Sequence, residues 1–410
     1  MQHWLELYNT VNPDFFIDIH STDGADYQYS LTYGLEIFGN MDEDLTKWQK
    51  DIYLPKITMQ MEESGHLIYP YVAFRNWFDP RTGLKAMLSS PMLSQGYTAQ
   101  RNRSGLLIET HMLKDYKTRV SAAYEMSKIT LQILNQKHKE LIELNLKADE
   151  KVKSYEFRKE PFSLDFKLTD NKTTVKFKGF NYTVEKSELT GGDWYNYSND
   201  TSTLILDYYS DYVTSAYANL PEVYIIPAEW TDIIDKIKLH GIQVEFIYKD
   251  VDIKVNSYKF RKVKFDTYPY EGRMRVLDFD IDTITEIRHF TKGSAIVRMN
   301  QTSARLIAHI LEPKAPSSLL KWGFFNSIFE QKEYAETYVM EKLMIEMIKE
   351  DPELLIEFEK KKTDDPDFTK SIWGMTNWFY MKTKYWDNRK DVYPIGKIFD
   401  RMVLNQLPVK

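Results

Sequence analysis

The sequence predicts an α/β region with a mixed sheet and helices, followed by an antiparallel β-rich region and then a helical, aromatic-rich C-terminal region. Three observations carry this expectation. Two short apolar runs at 15–19 and 105–108 have strand length and end in polar residues, His20 and Glu109, while apolar residues between and after them recur at helical spacing. From about Tyr155 the apolar period drops to two. From about Thr302 helical spacing returns, with a dense set of aromatics.

In chain order, residues 42–63 show helical spacing at Leu45, Trp48, Ile52, Ile57 and Met61, with Pro55 as a bend or boundary. A long amphipathic pattern over 122–148 (Met126, Ile129, Ile133, Leu134, Leu141 and Leu144) closes the first region near residue 150. Residues 147–153 read as a solvated connector. Phe162, Leu164, Phe166 and Leu168 then alternate on one strand face, and Val175 and Phe177 begin a second strand. Further strands are expected at 243–248, 257–265, 274–278 and 295–299, interrupted by a helix over 230–239 that stops at Gly241. Helices are expected at 319–329 and 333–348. The aromatics beyond them, including Trp373, Trp378, Phe379, Tyr380, Tyr385 and Trp386, read as core and interdomain packing rather than as a binding surface. The expected division is therefore 1–150, 155–300 and 301–410, with no internal repeat.

The chain has 410 residues, 43% of them hydrophobic and 28% charged, enough for two or three globular domains. A net charge of −6 over that length offers no basic surface for a phosphate backbone, so nucleic acid is not an expected partner. The absence of cysteine excludes disulfides and thiolate metal sites, leaving histidine and carboxylates as the only metal ligands. No apolar run reaches membrane-spanning length, and no segment near Met1 has the order of a signal peptide. Met1 therefore reads as an internal start. The sequence does not set the compartment or the oligomeric state.

The residues that bear chemistry lie at the two strand ends. The first strand runs into His20, Ser21, Thr22, Asp23, Gly24, Ala25, Asp26, Tyr27, Gln28 and Tyr29, and strand ends of this kind are where α/β folds place metal ligands. The second delivers Glu109 and continues through Thr110, His111, Met112, Leu113 and Lys114 to Arg119 and Val120. These two stretches resemble the carboxypeptidase A-like zinc metallopeptidases, and in particular a large bacterial branch with the pattern D-x-H-x-T-D-G-A-D-Y-Q-Y and a later E-T-H-x-L-K-x-Y-K-x-R-V. The resemblance extends through residues 224–230, 240–242 and 322–326 and so covers nearly the whole chain.

The resemblance implies that His20 is one zinc ligand and Glu109 the general base. Asp18, two residues before His20 on the same strand face, would orient the imidazole from behind. It also implies an H-x-x-E ligand pair well upstream, whereas only 19 residues (20 − 1) precede His20. The expected zinc site is thus incomplete, and the chain reads as the C-terminal part of such an enzyme. Two internal matches, His3 to Glu6 and His309 to Glu312, read as structural. The first lies too close to His20 and the second follows both signature strands. Tyr97, Arg101 and Arg103 precede the base and are candidate substrate-binding residues, the two guanidinium groups as partners of a substrate carboxylate and the tyrosine, by the resemblance, as a ring that closes over the substrate. Thr22, Asp23, Asp26 and Tyr27 are expected to shape a pocket wall.

The resemblance implies a zinc-dependent hydrolase of peptide or related amide bonds, in a family whose members are often secreted. The competing reading is a non-catalytic binding or structural protein that keeps the fold without a working metal site.

Overall fold

In the computed structural model, which describes residues 1–76 and 79–409, a four-stranded mixed sheet carries both signature strands. Its order is Phe15–Thr22, Ser104–His111, Leu31–Gly34, Ile68–Pro70. The first two strands are parallel, with His20 directly opposite Glu109. Leu31–Gly34 runs antiparallel to Ser104–His111 and sets Thr32 opposite Glu109 from the other side.

Side chains alternate across a strand, so this register sorts the sheet into two faces. On one face Ile17, Leu31, Tyr33, Leu106 and Ile108 pack with Leu45, Trp48, Ile57, Met61, Met126, Ile129 and Ile133 from the flanking helices. On the other face stand Phe16, Asp18, His20, Glu109 and Thr32. Phe16 is covered by a cluster of aromatic rings, with Trp4 at 5.6 Å, Tyr8 at 6.2 Å and Tyr97 packed against both. Those rings come from helices Gln2–Val11 and Ser94–Gln100. The second of these lies so close to the sheet that a Cβ on Gly105 would sit 2.3 Å from Thr98 Oγ1. Aromatic packing thus closes one end of this face and leaves the polar residues at the other.

The helical spacing over 42–63 is borne out as one continuous helical run, Glu43–Trp48, Gln49–Tyr53 and Leu54–Glu63. Its middle turn is a π-helix, placed just before Pro55, where the ring removes a backbone donor. Asp42 caps the start by accepting from the Asp44 and Leu45 amides. The helix read over 122–148 is longer than expected, Tyr116–Lys153, and takes in the segment expected as a connector. Ala148 and Val152 continue its buried stripe, so tertiary packing overrides the polarity of the intervening lysines.

Beneath the start of this helical run lies a polar knot. Glu36 is 2% exposed and accepts from the Ser89 amide and the Asn40 side chain. Burial pushes its carboxyl from about 4.5 up to about 7, opposed only in part by those hydrogen bonds. Because the folded state holds this proton more tightly than the unfolded chain, the contribution is complete below about pH 4.5 and is lost as pH rises through about 7. The expected loss is on the order of 3 kcal/mol. In Glu36→Gln, where the Asn40 amide can turn its carbonyl towards the new NH2, urea unfolding at pH 5 and pH 7.5 should show a correspondingly smaller fall than in the parent.

Strand Phe162–Leu168 forms as the alternation predicts and pairs with Tyr212–Ala218. A long hairpin, Thr173–Lys186 with Asp193–Tyr209, adds Asp79–Ala86 and Val72–Asn76 along its edge. A further sheet places Val223–Ile226 between Ala295–Arg298 and Gly396–Ile398. Helix Thr231–Leu239 stops as predicted, with Gly241 at φ +73°. The strand expected at 243–248 shrinks to Glu245–Phe246.

The described chain divides into two units. The first comprises 1–255, 287–322 and 395–410, and includes both signature strands. The second comprises 256–286 and 323–394. In the second unit, charged rungs such as Arg261 to Asp282 at 2.8 Å and Lys262 to Asp280 at 3.2 Å line a hairpin. A helical cluster packs on Met340, Leu354, Phe379 and Tyr380. Phe358, Trp378 and Phe379 pack against one another tilted and edge-on within it, whereas Trp373 and Tyr385 stay exposed.

Two expected helices differ from the structure. Residues 319–329 form turns ending in a short 3-10 helix, Asn326–Phe329. Gly323 is the reason, since at φ +75° its missing Cβ would lie 2.2 Å from the Met274 carbonyl oxygen. The next helix begins at Thr337 rather than at 333.

Candidate functional site

The parallel pairing brings the ends of the two signature strands to the same edge of the sheet, although His20 and Glu109 are far apart in the chain. Thr110 ties them further, its Oγ1 donating to the His20 carbonyl at 3.1 Å and bonding Ser21 Oγ at 3.0 Å.

Asp18 lies against His20, with Oδ1 3.0 Å from Nε2. In the tautomer whose Nε2–H donates to that carboxylate, Nδ1 carries the ring's lone pair. His20 is half exposed and Asp18 less so. Glu109 is half-buried, and its Oε2 is buried without a hydrogen-bond partner. Burial pushes its carboxyl up, His20 opposes the shift, and Asp18 and Asp23 add to it. A carboxylate with a free lone pair and a raised pKa is suited to taking up a proton.

The loop after His20 is held from two sides. Gln28 Nε2 donates to the carbonyls of Gly179 at 2.7 Å and Ser202 at 3.0 Å, while the Lys178 amide donates to the Tyr29 hydroxyl. Tyr27 and Tyr29 pack with Phe74, Leu84, Phe177 and Leu206. On the other side Lys114 pairs with Asp26 at 3.0 Å. Thr22, Asp23 and Tyr27 line a small cavity, whereas Asp26 is taken up by Lys114 and the Tyr27 amide.

Tyr97, Arg101 and Arg103 sit together elsewhere in this unit, each bonded to internal partners. Tyr97 is buried, with its hydroxyl 3.2 Å from Nδ1 of His240, a neutral ring whose pKa burial lowers to about 4. Arg101 Nη1 donates to the His240 carbonyl at 2.6 Å and to Asn9. Arg103 is 5% exposed and grips both carboxylate oxygens of Asp149, at 3.1 and 3.0 Å.

Most of the histidines in the two H-x-x-E matches and beside the strands are engaged, although Nδ1 of His309 is buried without a hydrogen-bond partner among the described residues. In the first H-x-x-E match, His3 and Glu6 form an exposed pair at 3.1 Å. In the second, Glu312 is bound to Lys397 at 2.6 Å and to the Tyr224 hydroxyl, and buried His309 packs edge-on against Phe162. His111 accepts from the Leu113 amide and donates to the Ala25 carbonyl, so both ring nitrogens are used. His66 lies between the Ser30 and Ser121 hydroxyls.

Catalytic zinc takes three protein ligands and keeps a position open. Among the described residues no group of three His, Asp or Glu side chains is arranged to hold a metal ion. His20 has the free nitrogen and the supporting carboxylate of a ligand, but these residues alone do not fit a catalytic zinc.

Thr32 went unnoticed in the sequence. Its signal was the alternation of Tyr29, Leu31 and Tyr33, which sends the residue between Leu31 and Tyr33 to the opposite face. Tyr71 and Phe74, also on the cavity wall, carried no local signal.

A segment of 133 residues is 28% identical to Carboxypeptidase 2 of Trichophyton tonsurans, and the same holds for Carboxypeptidase 2 of Trichophyton equinum. The corresponding protein of Trichophyton rubrum is 27% identical over 133 residues. In each case the match covers 30% of this chain and 24% of the relative, so the chain spans about a quarter of the curated relatives it matches. No family model matches the chain, and no solved structure matches it. The protein has a mixed helix-and-sheet fold with several sheets and a distant carboxypeptidase-like relationship. No described helix is long and apolar enough to cross a membrane.

Proposed function

We propose that the chain carries part of the active site of a carboxypeptidase-like metallohydrolase of peptide or related amide bonds, with Glu109 as general base. The supporting observation is the buried, unpartnered Glu109 Oε2 one strand away from the free nitrogen of His20. Amide hydrolysis needs a proton removed from the attacking water and another delivered to the leaving nitrogen, and one carboxylate of raised pKa can do both in sequence. His20, oriented by Asp18, is the ligand that this chain would contribute to a zinc ion, and zinc would polarise the scissile carbonyl. Nothing in the proposal depends on Tyr97, Arg101 or Arg103, whose polar groups bond internal partners. In the same reading, residues 1–150 are the peptidase-like part, 155–300 an accessory β-rich region and 301–410 a helical region.

Two measurements test this. The purified 410-residue chain is expected to hold well under one equivalent of zinc, because a lone imidazole is a weak site. The native-length protein is expected to release the C-terminal residue of a blocked dipeptide, and His20→Ala to lose zinc and activity together. No release by the native-length protein would remove the hydrolase reading. That outcome would favour a non-catalytic binding protein, the reading supported by the missing ligand set among the described residues.

A further inference from the structure

Strand Phe15–Thr22 is the outermost strand of its sheet and pairs only with Ser104–His111. The Met112 amide donates to the Thr22 carbonyl and Thr110 Oγ1 to the His20 carbonyl, so the main-chain groups of the even-numbered residues turn inward. Alternation then turns the N–H and C=O of Phe15, Ile17, Ile19 and Ser21 outward. No described residue bonds any of these outward groups. A row of unpaired groups is a template for another strand, and natural sheets blunt it with lysine, proline or a bulge. This strand has none of the three, and Ile19 stands 54% exposed on it.

The strand's own sequence narrows what could cover the edge. Two copies can pair antiparallel across a two-fold axis, so that one segment meets itself. Centring the axis on Asp18 would oppose two carboxylates, and centring it on His20 would oppose two imidazoles. Centring it on Ile17 would set Asp18 against the partner's Phe16, and on Ser21 would set His20 against the partner's Thr22. Only the axis at Ile19 is complementary in charge: it sets Asp18 against the partner's His20 and, by symmetry, His20 against the partner's Asp18. That axis also sets Ile19 against the partner's Ile19 and Ile17 against the partner's Ser21. All of these carry outward main-chain groups, so they fall at the hydrogen-bonded positions of the ladder and gain about six N–H···O bonds.

We propose that this edge pairs with the same edge of a second copy, forming an antiparallel dimer with Ile19 on the two-fold axis. The contact does not depend on the hydrolase reading. One strand pair is a small interface, so dissociation is expected on the order of 10 µM.

Sedimentation of the 410-residue chain from about 1 to about 200 µM should show the mass rise from monomer to dimer. Ile19→Pro removes an N–H that only the partner would use, and proline is tolerated where the N–H of an edge strand faces solvent. It should weaken association about tenfold or more, with thermal unfolding close to the parent. A second pair of variants holds even if the proline disturbs folding. The chain has no cysteine, so Ile19→Cys carries a single thiol. Directly opposed residues of a hydrogen-bonded pair have Cα atoms about 5.5 Å apart, within disulfide range, and mild oxidation should cross-link this variant. Ser21→Cys, about 13 Å from its counterpart in the same register, should stay uncrosslinked. A chain that is monomeric throughout the range overturns the proposal and leaves the edge to a strand of another origin. A dimer that a folded Ile19→Pro leaves unchanged overturns it too, as does cross-linking of Ser21→Cys as readily as Ile19→Cys.

Discussion

Asp149→Ala is expected to destabilise the chain by about 3–5 kcal/mol, the range for breaking a buried ion pair from one side. Asp149 accepts two hydrogen bonds from Arg103 and a third from Asn102, and both members of the ion pair are largely buried. Removing the carboxylate leaves a buried guanidinium with no counter-charge, held by its Nη1 bond to the Asn102 carbonyl, in a site where its Nε already lacks a partner. Much of the loss should return in Arg103→Met combined with Asp149→Leu, because an apolar pair of similar volume escapes the desolvation cost. Urea unfolding of the three variants measures this. A loss below about 1 kcal/mol in Asp149→Ala would resemble an exposed pair and would free Arg103 for the substrate-carboxylate role that its sequence context suggests.

That pair shows where the sequence could be read and where it could not. Arg103 stands out as a cation just before the strand that delivers Glu109, but its partner is 46 residues along, on the helix Tyr116–Lys153. Such a pairing is tertiary and leaves no local pattern. The strand ends at His20 and Glu109 were legible for the opposite reason, since apolar runs breaking into polar residues are local signals. Their adjacency was not, because a parallel pair depends on everything between them folding back. Gly241 could be read as a helix stop, whereas Gly323, at a left-handed φ where a Cβ would meet the Met274 carbonyl, could not. Polar lysines over 147–153 suggested a connector, and only the buried positions of Ala148 and Val152 reveal why the helix continues.

In the native-length protein, Glu109→Gln is expected to lower turnover on a blocked dipeptide by on the order of 10²-fold or more, the usual scale for loss of a general base. Glutamine keeps the size of the side chain and its place opposite His20 and Thr32, so zinc content and thermal stability should stay near those of the parent. The remaining effect is then chemical, since an amide cannot take a proton from water. The pH profile gives an independent check. Burial holds the Glu109 carboxyl above the ordinary range, and Asp18 and Asp23 push it further, so the acidic limb of kcat/KM should lie above the usual carboxylate range. Asp23→Asn removes one of the charges that favour the protonated form and should move that limb to lower pH, while Glu109→Gln should abolish it. Near-parent turnover in Glu109→Gln, or a limb that Asp23→Asn leaves in place, would show that another group accepts the proton. The carboxylate at the end of strand Ser104–His111 would then be structural.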